Sequence, residues 1–132
     1  MYDLDLAAEI VQQIIGSVHT IRQRFEPIES PADFYETDAG LEKFDAICMQ
    51  LIAIGESVKN LDKISANSLL PVYPEVEWKK IMGMRDVISH HYFDLDHEAV
   101  FTVCEEHLDS LEMALNGIAG HLSQQRDDNS IA

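Results

Sequence analysis

Apolar residues recur near the start of the chain in alternating steps of four and three: Ala7, Val11, Ile14, Val18, Ile21 and Phe25. That spacing keeps one helix face apolar and predicts an α-helix over Leu4 to Phe25. Pro27 marks its end, because proline cannot continue the helical ladder. The following segment, PIESPADFYETDAG, is rich in turn formers, with Ser30 before Pro31 and with Thr37 or Asp38 as the cap of the next helix. A second stripe, Leu41, Phe44, Cys48, Leu51, Gly55 and Val58, with Ile47, Ile54 and Leu61 alongside, predicts a helix to about Asn60. Its apolar face is wider than contact with one neighbour requires, so two buried sides are expected.

The stretch DKISANSLLPVYPEVEW contains Pro71 and Pro74 and reads as a long connection holding at most a short helix. A third helix is predicted from near Glu77 to about Tyr92, with Trp78, Ile81, Met84 and Ile88 on its apolar side. FDLD ends it. Asp96 can cap a fourth helix, Leu95 and Val100 suit a hydrophobic staple at that entry, and Val100, Cys104, Leu108, Leu111, Leu115, Ile118 and Leu122 carry the stripe onward. The polar segment SQQRDDNSIA, residues 123–132, is expected to fray. No segment alternates for long with a period of two, and there is no internal repeat. The pattern therefore predicts an all-α protein: an antiparallel bundle of four main helices in one domain over residues 1–122.

Composition narrows the function. A chain of 132 residues with 46% hydrophobic content suffices for one core. With 24 acidic against 9 basic residues the formal charge is −15, which opposes diffuse attraction to nucleic acid or anionic lipid. Any contact with RNA must be local, and DNA is not expected as a partner. The N-terminus, MYDLDLAAEI, lacks the basic start and apolar core of a signal peptide, and no apolar run approaches the roughly 20 residues of a membrane span. The expectation is a soluble, cytoplasmic protein. Cys48 and Cys104 occupy apolar helical positions and read as buried thiols.

Candidate chemistry concentrates in GMRDVISHHYFDLD, Gly83 to Asp96. On a helix, Arg85, Ser89 and Tyr92 share one strip, while Asp86 and His90 form an i, i+4 pair in which the carboxylate could orient the imidazole. Arg85 and His90 lie about 140° apart on an ideal helix, so bringing both to one phosphate needs the long arginine side chain, a bent helix end or a second subunit. An arginine and a histidine at one phosphate suit RNA cleavage. There the 2′-hydroxyl is its own nucleophile, and the protein needs only to move protons and stabilise charge, without a metal or other cofactor. Set against this are plainer readings: Arg85 in a surface ion pair, His90 favoured by the helix dipole, and Tyr92 as a packed ring. A third reading takes His90, His91, Asp94, Asp96 and His97 as metal ligands, although neighbouring residues point apart on a helix and no spacing such as H-E-x-x-H occurs. Spacing alone leaves these alternatives open.

The run Arg85 to Tyr92, R-D-V-I-S-H-H-Y, resembles the R-x4-H-x-Y motif of HEPN-domain proteins of the HepT type, toxins paired with MntA-type minimal nucleotidyltransferases. QLIAIGESVKNL, residues 50–61, is similar to the family's IGE-containing helix, and YPEVEWKKIMGMRD, residues 73–86, to the stretch leading into its motif. With FDLD behind it, the resemblance covers roughly residues 41–105. It implies a homodimeric, all-helical, metal-independent ribonuclease acting on RNA, with Arg85 and His90 as the catalytic pair, Asp86 and Ser89 as supporting groups, and Tyr92 as the tyrosine that the partner nucleotidyltransferase, the antitoxin, adenylylates. An AMP group there would put bulk and negative charge close to His90.

The sequence departs from the family pattern at two positions. His91 stands where the family often has a small residue, and Asp86 stands where asparagine is common, bringing negative charge towards an anionic substrate. Lys79 and Lys80 are the nearest bases that could offset it. Gly55 reads as a point where two helices approach closely, and Glu56 faces either the motif or solvent. The rival reading is a non-catalytic helical dimer that binds and regulates a nucleotidyltransferase, for which an acidic surface is an easy fit.

Overall fold

A computed structural model describes residues 2–131 of the chain. Helix α1, Leu4–Phe25, begins where Asp3 accepts the Leu6 backbone N–H at 3.0 Å. Its stripe of Ala7, Val11, Ile14, Val18 and Ile21 is buried as the spacing predicts. A short 3-10 turn, Pro31–Phe34, then carries Phe34 into an aromatic cluster, with ring centroids 5.1 Å from Phe44, 6.2 Å from Phe25 and 6.5 Å from Phe101. Thr37 is the cap of α2, Asp38–Ile64, its hydroxyl oxygen accepting the Gly40 N–H at 2.9 Å.

Helix α2 runs one turn beyond Asn60. It ends at Ala66 and Asn67, both with positive φ (53° and 63°), where the Asn67 N–H turns back to the Asp62 carbonyl at 2.9 Å. The apolar face begins at Phe44, since Leu41 remains 40% exposed. From there Phe44, Ile47, Cys48, Leu51, Ile54, Val58 and Leu61 are all buried, and α2 packs on both α1 and α3. The wide stripe thus has its two neighbours.

The connection after α2 holds only a 3-10 turn, Leu70–Val72. Its Tyr73 carbonyl accepts the Trp78 indole N–H at 2.9 Å, which seats the first residue of α3, Trp78–His91. A third 3-10 turn, Tyr92–Asp94, follows, and Asp96 then caps α4, His97–Thr102, accepting N–H groups from Glu98 and Ala99 at 2.9 and 3.3 Å. A π-helical turn over Val103–His107 joins α4 to α5, Leu108–Ile131, as one long rod. Val100, Cys104 and Leu108, which flank and enter this turn, are all buried.

The fold is an all-α bundle whose four main helices are α1, α2, α3 and the α4–α5 rod, with no strand among the described residues. The rod stays helical through Ile131, and Arg126 pairs with Asp5 at 2.9 Å, so residues 123–131 continue α5 where the sequence suggested fraying. Ala132 lies outside the described residues. No helix among them is long and apolar enough to cross a membrane. Against this core α3 stands apart: it packs mainly on α2 and buries only Trp78 and Ile88. Its remaining surface carries the polar cluster.

Candidate functional site

Three features hold α3 in place. Trp78 anchors its start, Ile88 is buried one turn before its end, and Gly55 lets the two backbones touch between them. A Cβ added at Gly55 would lie 2.7 Å from the Ile81 carbonyl oxygen and 3.5 Å from the Arg85 nitrogen. The glycine is thus needed for close approach, as its place in the IGES run suggested. One residue on, Glu56 reaches across the contact, and its Oε1 lies 2.5 Å from Arg85 Nε. Both side chains are more than half exposed, so the pair adds little stability. Its effect is geometric: the guanidinium is tethered to Glu56, and no second acidic side chain pairs with it among the described residues.

The structure distributes the other candidates along α3 without gathering them. Asp86, Ser89, His90 and His91 are exposed. No hydrogen bond joins Asp86 to His90 among the described residues, so the anticipated carboxylate–imidazole pair is not formed. Within a single chain Arg85 and His90 project in different directions from one helix. Beyond them lie two uncovered apolar side chains, Val87 at 53% and Phe93 at 97% exposure.

Tyr92 leaves the line of α3. In the 3-10 turn it folds back over α2, with its ring 6.2 Å from Phe44 and 5.5 Å from Phe93, and its hydroxyl donates to Asp45 Oδ1. That hydrogen bond, with partial burial, pushes the phenol up to about 12, since ionising it would set a second negative charge beside the carboxylate. Asp45 is the residue that sequence reasoning missed. It belongs to no motif, and 47 positions separate it from Tyr92.

Several neighbours have structural duties. Asp96 caps α4, and the His97 ring lies 4.5 Å from Phe44 and 5.1 Å from Tyr35. No three His, Cys, Asp or Glu side chains among the described residues are gathered as metal ligands would be. Burial pushes the Cys48 and Cys104 thiols up to about 12, so neither has the thiolate character of a nucleophile. Lys80 is paired with Glu77 at 2.6 Å. Between α2 and α3, beside Arg85, an open cavity of about 280 Å³ is lined by Glu56, Lys59, Asn60, Lys63, Met82, Arg85 and Asp86.

Residues 14–118 match the family model described as "Ribonuclease HepT-like". A Methanocaldococcus jannaschii protein named "Putative RNase" is 32% identical over 90 residues, covering 65% of this chain and 67% of that protein. A second protein so named, from Caldanaerobacter subterraneus, is 33% identical over 73 residues, covering 55% and 62%. A Thermococcus cleftensis protein named "Probable ribonuclease HepT" is 31% identical over 67 residues, covering 51% and 57%. No solved structure matches the chain.

Proposed function

The chain belongs to the HepT-like ribonuclease family, and from that premise we propose that it is a metal-independent RNA endonuclease whose catalytic pair is Arg85 and His90. The observation that carries this reading is the exposed Arg85 guanidinium, tethered by Glu56 at the Gly55 crossing and without a second acidic partner among the described residues. An exposed guanidinium suits a phosphate, which accepts two parallel N–H bonds from it. In the proposed reaction His90 takes the proton of the substrate 2′-hydroxyl. The 2′-oxygen bonds to the adjacent phosphorus, the bond from phosphorus to the 5′-oxygen breaks, and the proton held by His90 passes to that leaving oxygen. Arg85 stabilises the doubly negative phosphate along the way. Asp86 and Ser89 serve as supporting polar groups.

Since Arg85 and His90 diverge on one helix, the active form in this proposal is a two-fold dimer in which α3 of one copy faces α3 of the other. Exposed Val87 and Phe93, on and just beyond the motif-bearing helix, support that interface. The proposed biological setting is a toxin–antitoxin pair in the cytoplasm, with a MntA-like nucleotidyltransferase silencing the nuclease by adenylylating Tyr92. Asp45 presents that hydroxyl at the exit of α3, where an added AMP would compete with substrate phosphate.

The experiment is RNA cleavage in excess chelator. The wild type should cleave, and His90→Ala should be slower by about 10²–10⁴. Equal cleavage by the variant, or none by the wild type, would remove the catalytic assignment and favour a non-catalytic partner of a nucleotidyltransferase.

A further inference from the structure

Of the nine lysines and arginines in this chain, three line one cavity, and one of the three is Arg85. Lys59 and Lys63 are exposed and have no acidic partner within pairing distance among the described residues, in contrast to Arg22, Lys80 and Arg126, which are paired elsewhere. The concentration is local, on a molecule whose formal charge is −15. Glu56, Lys59, Asn60 and Lys63 recur at steps of three, one and three, which sets them on one strip of α2. Lys59 and Lys63 are one helical turn, about 6 Å, apart along that strip. The strip leads away from the Gly55 crossing towards the C-terminal end of α2, and Met82 of α3 forms the opposite wall.

We infer that this groove is a phosphate track: Lys59 and Lys63 bind successive backbone phosphates of the RNA strand on one side of the phosphodiester that Arg85 holds. The inference rests on the nuclease reading and extends it from a cleavage site to a strand path. Glu56 tethers the Arg85 guanidinium at the head of the groove, and a guanidinium has more N–H donors than one carboxylate takes up. Asn60, between the lysines, can donate to a phosphate or ribose oxygen. The groove lacks an aromatic side chain among its lining residues, so it holds the backbone without stacking bases and imposes no base preference there. A strand bound this way crosses three cations and two carboxylates, Glu56 and Asp86, a small positive balance within an acidic surface.

The test compares wild type, Lys59→Ala, the double variant Lys59→Ala/Lys63→Ala, and Lys43→Ala as a charge-matched control for the single change, on a single-stranded RNA oligonucleotide across a range of salt concentrations. Lys63 sits in the last turn of α2, where a cation also suits the helix dipole, so Lys59→Ala is the variant that isolates phosphate binding. Thermal melts of each variant establish that it is folded. The double variant should raise KM by about tenfold with kcat little changed. It should also flatten the plot of log(kcat/KM) against log salt by about 1.4, from a slope of roughly 0.7 per phosphate contact on a single strand. Lys43→Ala should move neither. A folded double variant with wild-type KM and salt slope would overturn the track while leaving the nuclease intact, and so would an equal rise in KM for Lys43→Ala. A wild type that cleaves no RNA would overturn the nuclease reading and the track with it.

Discussion

At the residue scale, the site depends on pairings that no local reading of the sequence could supply. Arg85, His90 and Tyr92 are proposed for the site because they fall within one short motif. Their partners Glu56 and Asp45 were not legible, because both contacts exist only once α3 lies on α2. Glu56 could be left only as facing the motif or solvent, and the structure turns it to Arg85. Asp45 had no signal at all. Its effect on Tyr92 gives a pH prediction. The phenol is raised in the folded state to about 12 from an ordinary value near 10, so the contact contributes fully below pH of about 10 and is lost as pH climbs through about 12. Asp45 and Cys48, both on α2, are the groups that act on it from the facing helix. Asp45→Asn removes the charge while keeping an acceptor, and should bring this phenol back towards 10. The check is ultraviolet titration of tyrosinate, with Tyr92→Phe identifying which of the four tyrosines has moved. Identical curves for wild type and Asp45→Asn would contradict the contact.

At the scale of elements, the hydrophobic stripes located the helices well because each buries one continuous face. The limits of α1 matched the spacing, and Thr37 and Asp96 cap as their side-chain chemistry suggests. The π turn over Val103–His107 was not legible, since its apolar spacing is one that regular α-helix also carries in α1, at Ile10, Ile14 and Val18. The far end of α5 escaped prediction because a polar composition suggests solvation, whereas the pairing of Arg126 with Asp5 ties that turn to α1. Gly55 makes the sharpest prediction at this level. Its Cβ would meet backbone, which cannot rotate aside, so Gly55→Ala should lose about 1–3 kcal/mol and shift Arg85 from its seat. Gly120→Ala, with nothing within 4 Å, should instead gain up to about 1 kcal/mol from helix propensity. Urea unfolding compares the two: a Gly55→Ala midpoint equal to or above wild type would show that the helices do not touch there.

At the scale of the whole molecule, the four-helix architecture followed from the count of stripes and the turn-rich segments between them. The extra width of the α2 face correctly implied two neighbours. What one chain could not reveal is how the thinly packed α3 completes itself. A helix that buries only Trp78 and Ile88 while exposing Val87, with Phe93 uncovered just beyond it, has surface for a second copy. The large negative charge then restricts RNA to the few places where cations gather.

The central claim is that Arg85 of one copy and His90 of another act on the same phosphate, and complementation measures it most directly. Arg85→Ala and His90→Ala proteins are assayed on RNA separately, then after mixing and subunit exchange. In a two-fold dimer built this way, each mixed pair retains one site with both native residues. Random pairing makes half the dimers mixed, so the mixture should recover about a quarter of wild-type cleavage while each variant alone stays inactive. A mixture as inactive as its parts, after exchange has been verified, would contradict the shared site.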